Sequence, residues 1–169
     1  HDPSSQSILV TDDVSFANRV SEAATAMIEK SPRKEITQAS WTDNSAIITV
    51  PSLEGGMPLV NRLAPEHLEL AVEDPEPLLP MIRHAGAIFL GRHTPEAVGD
   101  YVAGPDHVLP TARAARFSSG LSTLDFLKRT SLIACTQEAI NAIGPDAAML
   151  ADQEGLWAHA ESVRRRLKE

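Results

Sequence analysis

The sequence predicts an α/β protein, a parallel sheet with flanking helices, followed by a helical C-terminal tail. Two observations predict it. Short apolar runs alternate with amphipathic segments, the rhythm of parallel strands joined by helical crossovers. After about Ser122 the apolar runs stop and helical patterns follow one another.

The elements follow in order. Ser7-Ile-Leu-Val-Thr11 reads as a strand. Val14 to Lys30 reads as a helix started by Asp12 or Asp13, with apolar residues at Val14, Ala17, Val20, Ala24, Met27 and Ile28. Ala46-Ile-Ile-Thr-Val50 is a second buried strand, followed by a short helix near Met57 to Leu63. His67-Leu-Glu-Leu-Ala71 is a third strand, Pro77 to His84 a helix, and Ala87-Ile-Phe-Leu90 a fourth strand. Residues 1–121 thus read as one Rossmann-like half. In residues 122–169, Thr136 to Ile143, Pro145 to Asp152 and Leu156 to Leu167 read as successive helices, broken at Gly144-Pro145 and Gly155. Such a tail has too little core to stand alone and is expected to pack on another surface. No G-x-G-x-x-G fingerprint follows any predicted strand; Glu54-Gly-Gly56 and Ser119-Gly120 come nearest and lack the spacing.

A length of 169 residues suits one domain, or one domain with a helical appendage. Fifteen Lys and Arg against 23 Asp and Glu leave a formal charge of −8, which argues against nucleic acid as a partner because phosphate binding needs a basic face. Arg164-Arg-Arg166 is basic, but at the end of a helical segment it complements the helix dipole. No stretch is apolar for the roughly 18 residues that a membrane span needs. The single cysteine, Cys135, precludes an internal disulfide and suits a reducing compartment, so the cytoplasm is the expected location. Its apolar neighbours predict a buried, inert thiol. His84, at a helix end, and His93, ahead of Thr94-Pro95, read as structural or solvated, and Trp41 and Trp157 as packing anchors.

The run Asp100-Tyr-Val-Ala-Gly-Pro-Asp-His107-Val-Leu-Pro110 places a carboxylate and an imidazole near a Gly-Pro break, where the chain can turn and aim both at one small site. Pro65-Glu66-His67 puts a second carboxylate and imidazole at the entry to a strand. An imidazole suits proton abstraction near neutrality. His1, Asp100 and His159 supply two imidazoles and a carboxylate, a donor set suited to Zn²⁺, although their spacing alone does not define a metal site.

These segments, with Val60-Asn-Arg-Leu-Ala-Pro-Glu66-His67-Leu, Ala85-Gly-Ala-Ile-Phe-Leu-Gly91, Ala115-Arg-Phe-Ser-Ser-Gly-Leu-Ser122 and Asp125-Phe-Leu-Lys-Arg129, resemble histidinol dehydrogenase in order and approximate spacing across nearly the whole chain. That family is zinc- and NAD-dependent and belongs to histidine biosynthesis. Its members are much longer, so the chain, which begins at His1, is expected to be the C-terminal portion.

The resemblance implies oxidation of L-histidinol through L-histidinaldehyde to L-histidine with two NAD⁺. It implies His67 as general base and Glu66 in handling water. His67, Asp100, His107, Glu154 and His159 would contact substrate. His1, Asp100 and His159 would hold Zn²⁺ together with an upstream Gln. The main NAD contacts are expected upstream as well. The tail is expected to cross to the partner subunit of a homodimer. Asp106 stands where the family has Asn, adding a carboxylate beside the loop, and Ala112-Arg-Ala-Ala115 stands where glycines are common, which restricts the backbone. Two rival readings are an inactive structural or dimerisation fragment and a zinc-dependent hydrolase using Glu66 on a metal-bound water. No G-x-S-x-G elbow surrounds Ser118-Ser119 to support a serine nucleophile.

Overall fold

Strand β1 (Ile8–Thr11) pairs in parallel with β2 (Ala46–Thr49), and β3 (His67–Leu70) pairs in parallel with β4 (Ala87–Leu90). The computed structural model describes residues 2–167, which divide into two compact units between Phe126 and Leu127. The α/β class is as expected, but the parallel pairing among the described residues takes the form of two two-stranded sheets.

Helix α1 (Val14–Lys30) starts at Asp13, whose side chain accepts the Phe16 N–H, and Ala17 and Ile28 on its apolar face are buried. Helix α2 (Lys34–Asn44) was not expected, and the reason is physical: none of its residues is buried, so it carries no strong apolar period to read. Helix α3 (Leu53–Leu63) begins four residues earlier than the apolar pattern indicates, because Ser52 caps it by accepting the Gly55 N–H. Gly55, Gly56 and Pro58 disguise its first turns in the sequence. Gly56 has a packing role, since a β-carbon there would stand 3.1 Å from Val10 Cγ1.

Between β3 and β4 the expected helix over Pro77 to His84 is a 3-10 segment, Glu76–Met81. Pro77 and Pro80 lack the N–H groups that an α-helix requires there. Met57, Val60, Leu70 and Leu78 form the buried core of this unit, with Val10, Leu53, Leu68, Val72, Leu79 and Ile82 packed against it. That core fastens α3 to β3, the strand that begins with His67. Burying a side chain such as Leu70 stabilises by about 1.5–3 kcal/mol.

In the second unit, α5 (Gln137–Gln153) runs unbroken through Gly144 and Pro145, where the sequence suggested a break. Gly144 is a contact point: a β-carbon would lie 3.1 Å from Val163 Cγ1 and 2.7 Å from Leu167 Cδ2. The absent side chain lets α6 (Trp157–Arg164) approach over Ala148, Ala151 and Ala160, the buried alanines of this hairpin. Gly155, at φ +73°, makes the turn between the helices, and the Leu156 N–H donates to the Ala151 carbonyl at 2.8 Å to close α5.

Candidate active site

The approach to β3 is tightly specified by backbone contacts. Ala64 ends α3 in the left-handed region at φ 48° and is 1% exposed. From there the chain turns through Pro65 and Glu66 into β3. The Gly86 and Ala87 amides donate to the Pro65 and Glu66 carbonyls at 3.0 and 2.9 Å. A β-carbon on Gly86 would lie 2.6 Å from the Glu66 carbonyl oxygen, so only glycine permits that approach. Asn61 braces the same region, donating to the Met81 carbonyl and accepting from the Arg83 amide at 2.8 and 2.7 Å.

Opposite His67 lies a helix where the sequence suggested only a loop. Helix α4 (Glu96–Tyr101) follows Pro95, and its spacing of four places Glu96 and Asp100 on one face. His67 Nε2 stands 3.6 Å from Asp100 Oδ1 and 3.8 Å from Glu96 Oε1. That nitrogen is buried, and no described group hydrogen-bonds to it. The imidazole also lies 5.9 Å from the Phe89 ring, tilted by 41°. Donor atoms of His67, Glu96 and Asp100 all lie within 4.8 Å of one another, a spacing at which they could hold a metal ion.

Two carboxyls so close cannot both remain comfortably ionised. The hydrogen bond that Glu96 shares with Asp100 holds the Glu96 carboxyl above its ordinary range; partial burial and the Asp100 charge push the same way, against the opposing pull of His67.

The relatives of the chain decide its family. The profile of the histidinol dehydrogenase family matches residues 1–167. The chain belongs to the histidinol dehydrogenase family. It is 59% identical to histidinol dehydrogenase of Rhodospirillum rubrum over 168 residues, covering 99% of this chain and 39% of that protein. It is 54% identical to that of Rhizobium meliloti over 167 residues, covering 99% of this chain and 38% of that protein. The crystal structure of histidinol dehydrogenase from Elizabethkingia anophelis superposes with a TM-score of 0.91 at 35% identity, covering 98% of this chain and 38% of that one. The chain therefore spans about two fifths of the length of the curated relatives it matches.

Among the described residues, the expected histidinol dehydrogenase residues fall into three groups. His67 and Asp100 come together, with Glu66 immediately before β3. His107 stands exposed in the loop after α4 and makes no hydrogen bond or ion pair among the described residues; its neighbour Asp106 uses Oδ1 to accept the Val108 N–H at 2.7 Å. Glu154, at the end of α5, and His159, on α6, are exposed residues of the second unit. His1 lies outside the described residues. Glu96 was missed by sequence reasoning, although Pro95 as a helix starter and a carboxylate four residues before Asp100 are a legible signal. Cys135 is exposed, against the expectation of a buried thiol, because residues 127–135 form neither helix nor strand. Trp157 is 69% exposed, against the expectation of a packing anchor.

The loop departures also have a structural consequence. Ala112 and Arg113, in the segment where the resemblance implies glycines, adopt φ values of 50° and 67°. Each side chain is held in a region that costs about 1–2 kcal/mol for an L-residue.

Proposed function

We propose that a protein carrying this chain oxidises L-histidinol through L-histidinaldehyde to L-histidine, with NAD⁺ as the oxidant of both steps. The observation that supports it most is the His67 imidazole, with a buried Nε2 facing the carboxyls of Asp100 and Glu96. A carboxylate beside an imidazole orients the ring and stabilises the imidazolium formed when it takes a proton. His67 therefore acts as the base that removes the hydroxyl proton of the alcohol and, in the second oxidation, a proton from water. Glu66, one residue before it, assists with that water.

Asp100 also suits a metal. Asp100 belongs both to the observed His–Glu–Asp cluster and to the His1, Asp100 and His159 set implied by the resemblance, and nitrogen and carboxylate donors are the ligands Zn²⁺ takes. When bound, Zn²⁺ would supply Lewis-acid anchoring of the substrate through its amine and imidazole nitrogens. His107, Glu154 and His159 complete the substrate contacts in this reading. Glu54-Gly55-Gly56 lies inside α3, and among the described residues no glycine-rich turn follows a strand to cradle a dinucleotide.

The test is His67→Asn in the full-length enzyme. Turnover, followed by reduced nicotinamide absorbance on adding L-histidinol, should fall by about 10²–10⁴-fold, while zinc content stays near wild type. Normal turnover in that variant removes His67 from the reaction.

We further infer a cytoplasmic homodimer in which the hairpin of α5 and α6 reaches the partner's site. Leu132 and Ile133, ahead of the hairpin, are 93% and 89% exposed, large apolar side chains that another surface would cover. Among the described residues no helix is long and apolar enough to cross a membrane. Mixed dimers of a His67 variant and a His159 variant should regain activity by assembling one intact site. Mixed dimers without activity would show that one chain supplies both histidines.

A further inference from the structure

We propose that Glu69 is a positioning residue of this site: its carboxylate holds the first turn of α4, and so the carboxyls of Glu96 and Asp100, against His67. The proposal rests on the assignment of His67 as the base and adds a residue that touches neither substrate nor metal in that assignment.

A helix leaves its first N–H groups without partners and normally satisfies them with a capping side chain. At α4 the capping position is Pro95, which has no such side chain and makes no cap hydrogen bond. Thr94, one residue earlier, donates its hydroxyl to the Leu90 carbonyl at 2.7 Å. The acceptor comes instead from β3: Glu69 Oε1 takes the Glu96 N–H at 2.8 Å. A charged acceptor makes this hydrogen bond stronger than a neutral one would.

The geometry of two periods gives the bond its consequence. Alternation along β3 puts Glu69 on the same side as His67, two residues away. The helical repeat puts Asp100 on the same face as Glu96, one turn along. One hydrogen bond therefore registers the strand that carries the imidazole against the helix that carries both carboxyls. Helix α4 has only six residues, too few to be stable without outside contacts. Its other fixed point is Gly99, packed directly on the Phe89 ring of β4. Gly99 sets how closely the helix approaches, and Glu69 sets where it begins.

The experiment compares Glu69→Met and Glu69→Gln in the full-length, zinc-loaded enzyme. Methionine keeps the volume and lacks the acceptor; glutamine keeps an acceptor oxygen. Glu69→Met should lower kcat by about tenfold or more with KM within about threefold, the pattern of a misplaced reacting group. Its Glu96 amide should exchange with deuterium faster than in wild type. Glu69→Gln should restore kcat to within about threefold of wild type and restore the amide protection. Wild-type kcat in Glu69→Met, or a Glu69→Gln as slow as Glu69→Met, overturns the proposal. Should Glu69→Met not fold, Glu69→Ser, too short to reach α4, replaces it under the same criteria. Wild-type enzyme without turnover of L-histidinol would defeat the reaction assignment instead, and Glu96 amide exchange would still decide whether Glu69 holds α4.

Discussion

Gly99 on α4 faces the ring of Phe89 on β4 so closely that a β-carbon at Gly99 would lie 2.4 Å from Phe89 Cε1. No real pair of carbons tolerates that distance, so this contact sets how near Glu96 and Asp100 come to His67. Phe89 is itself 7% exposed and has little room to yield.

Gly99→Ala should therefore destabilise the protein by about 1–3 kcal/mol, the usual cost of overpacking, and lower activity by separating α4 from β3. Adding Phe89→Leu should recover part of both losses. Strictly additive effects in a double-mutant cycle would show that the two positions do not meet.

Asp100→Ala and His159→Ala should each deplete zinc in the full-length enzyme, measured by metal analysis after gel filtration, whereas His93→Ala should not. His93 is exposed and lies outside the His67, Glu96 and Asp100 cluster. Retention of full zinc by His159→Ala would remove His159 from the proposed zinc ligands.

The left-handed pair Ala112 and Arg113 predicts a gain. Arg113→Gly should raise stability by about 0.5–1 kcal/mol in chemical denaturation, since glycine adopts φ near 67° without a β-carbon clash and returns only part of the gain as backbone entropy. A destabilised variant would show that the Arg113 side chain makes contacts worth more than the strain.

The raised Glu96 carboxyl predicts a pH dependence of defined sign. Its folded value lies above the ordinary 4.5, so the protonated form is favoured by folding. That contribution is complete below 4.5 and is lost as pH rises through the folded value. In metal-free protein Glu96→Gln, permanently neutral, should lose less stability than wild type between about pH 4.5 and pH 7. The difference should be small, since the Glu96 side chain is 40% exposed and solvent screens it. Parallel denaturation curves across that range would mean that Glu96 does not share a proton with Asp100.

The sequence by itself determined the class of the fold and its strands. Ile8–Thr11, Ala46–Thr49 and Ala87–Leu90 are short apolar runs, and the core-facing residues Leu68 and Leu70 mark β3, because burial leaves its own composition in a strand. The motif order likewise carried the family, and Asp13 the start of α1. Only the tertiary structure decided the rest. Gly144-Pro145 reads locally as a break, yet α5 continues because the missing β-carbon lets α6 pack against it. Asp100 reads as a loop residue near His107, yet α4 turns it, with Glu96, onto His67, more than thirty residues away in sequence. Local rules see which conformation a segment prefers; they do not see that a strand can supply the helix cap that Pro95 lacks, as Glu69 does. The cluster of His67, Glu96 and Asp100 forms where β3, β4 and α4 meet, and that meeting depends on contacts between residues far apart in the chain.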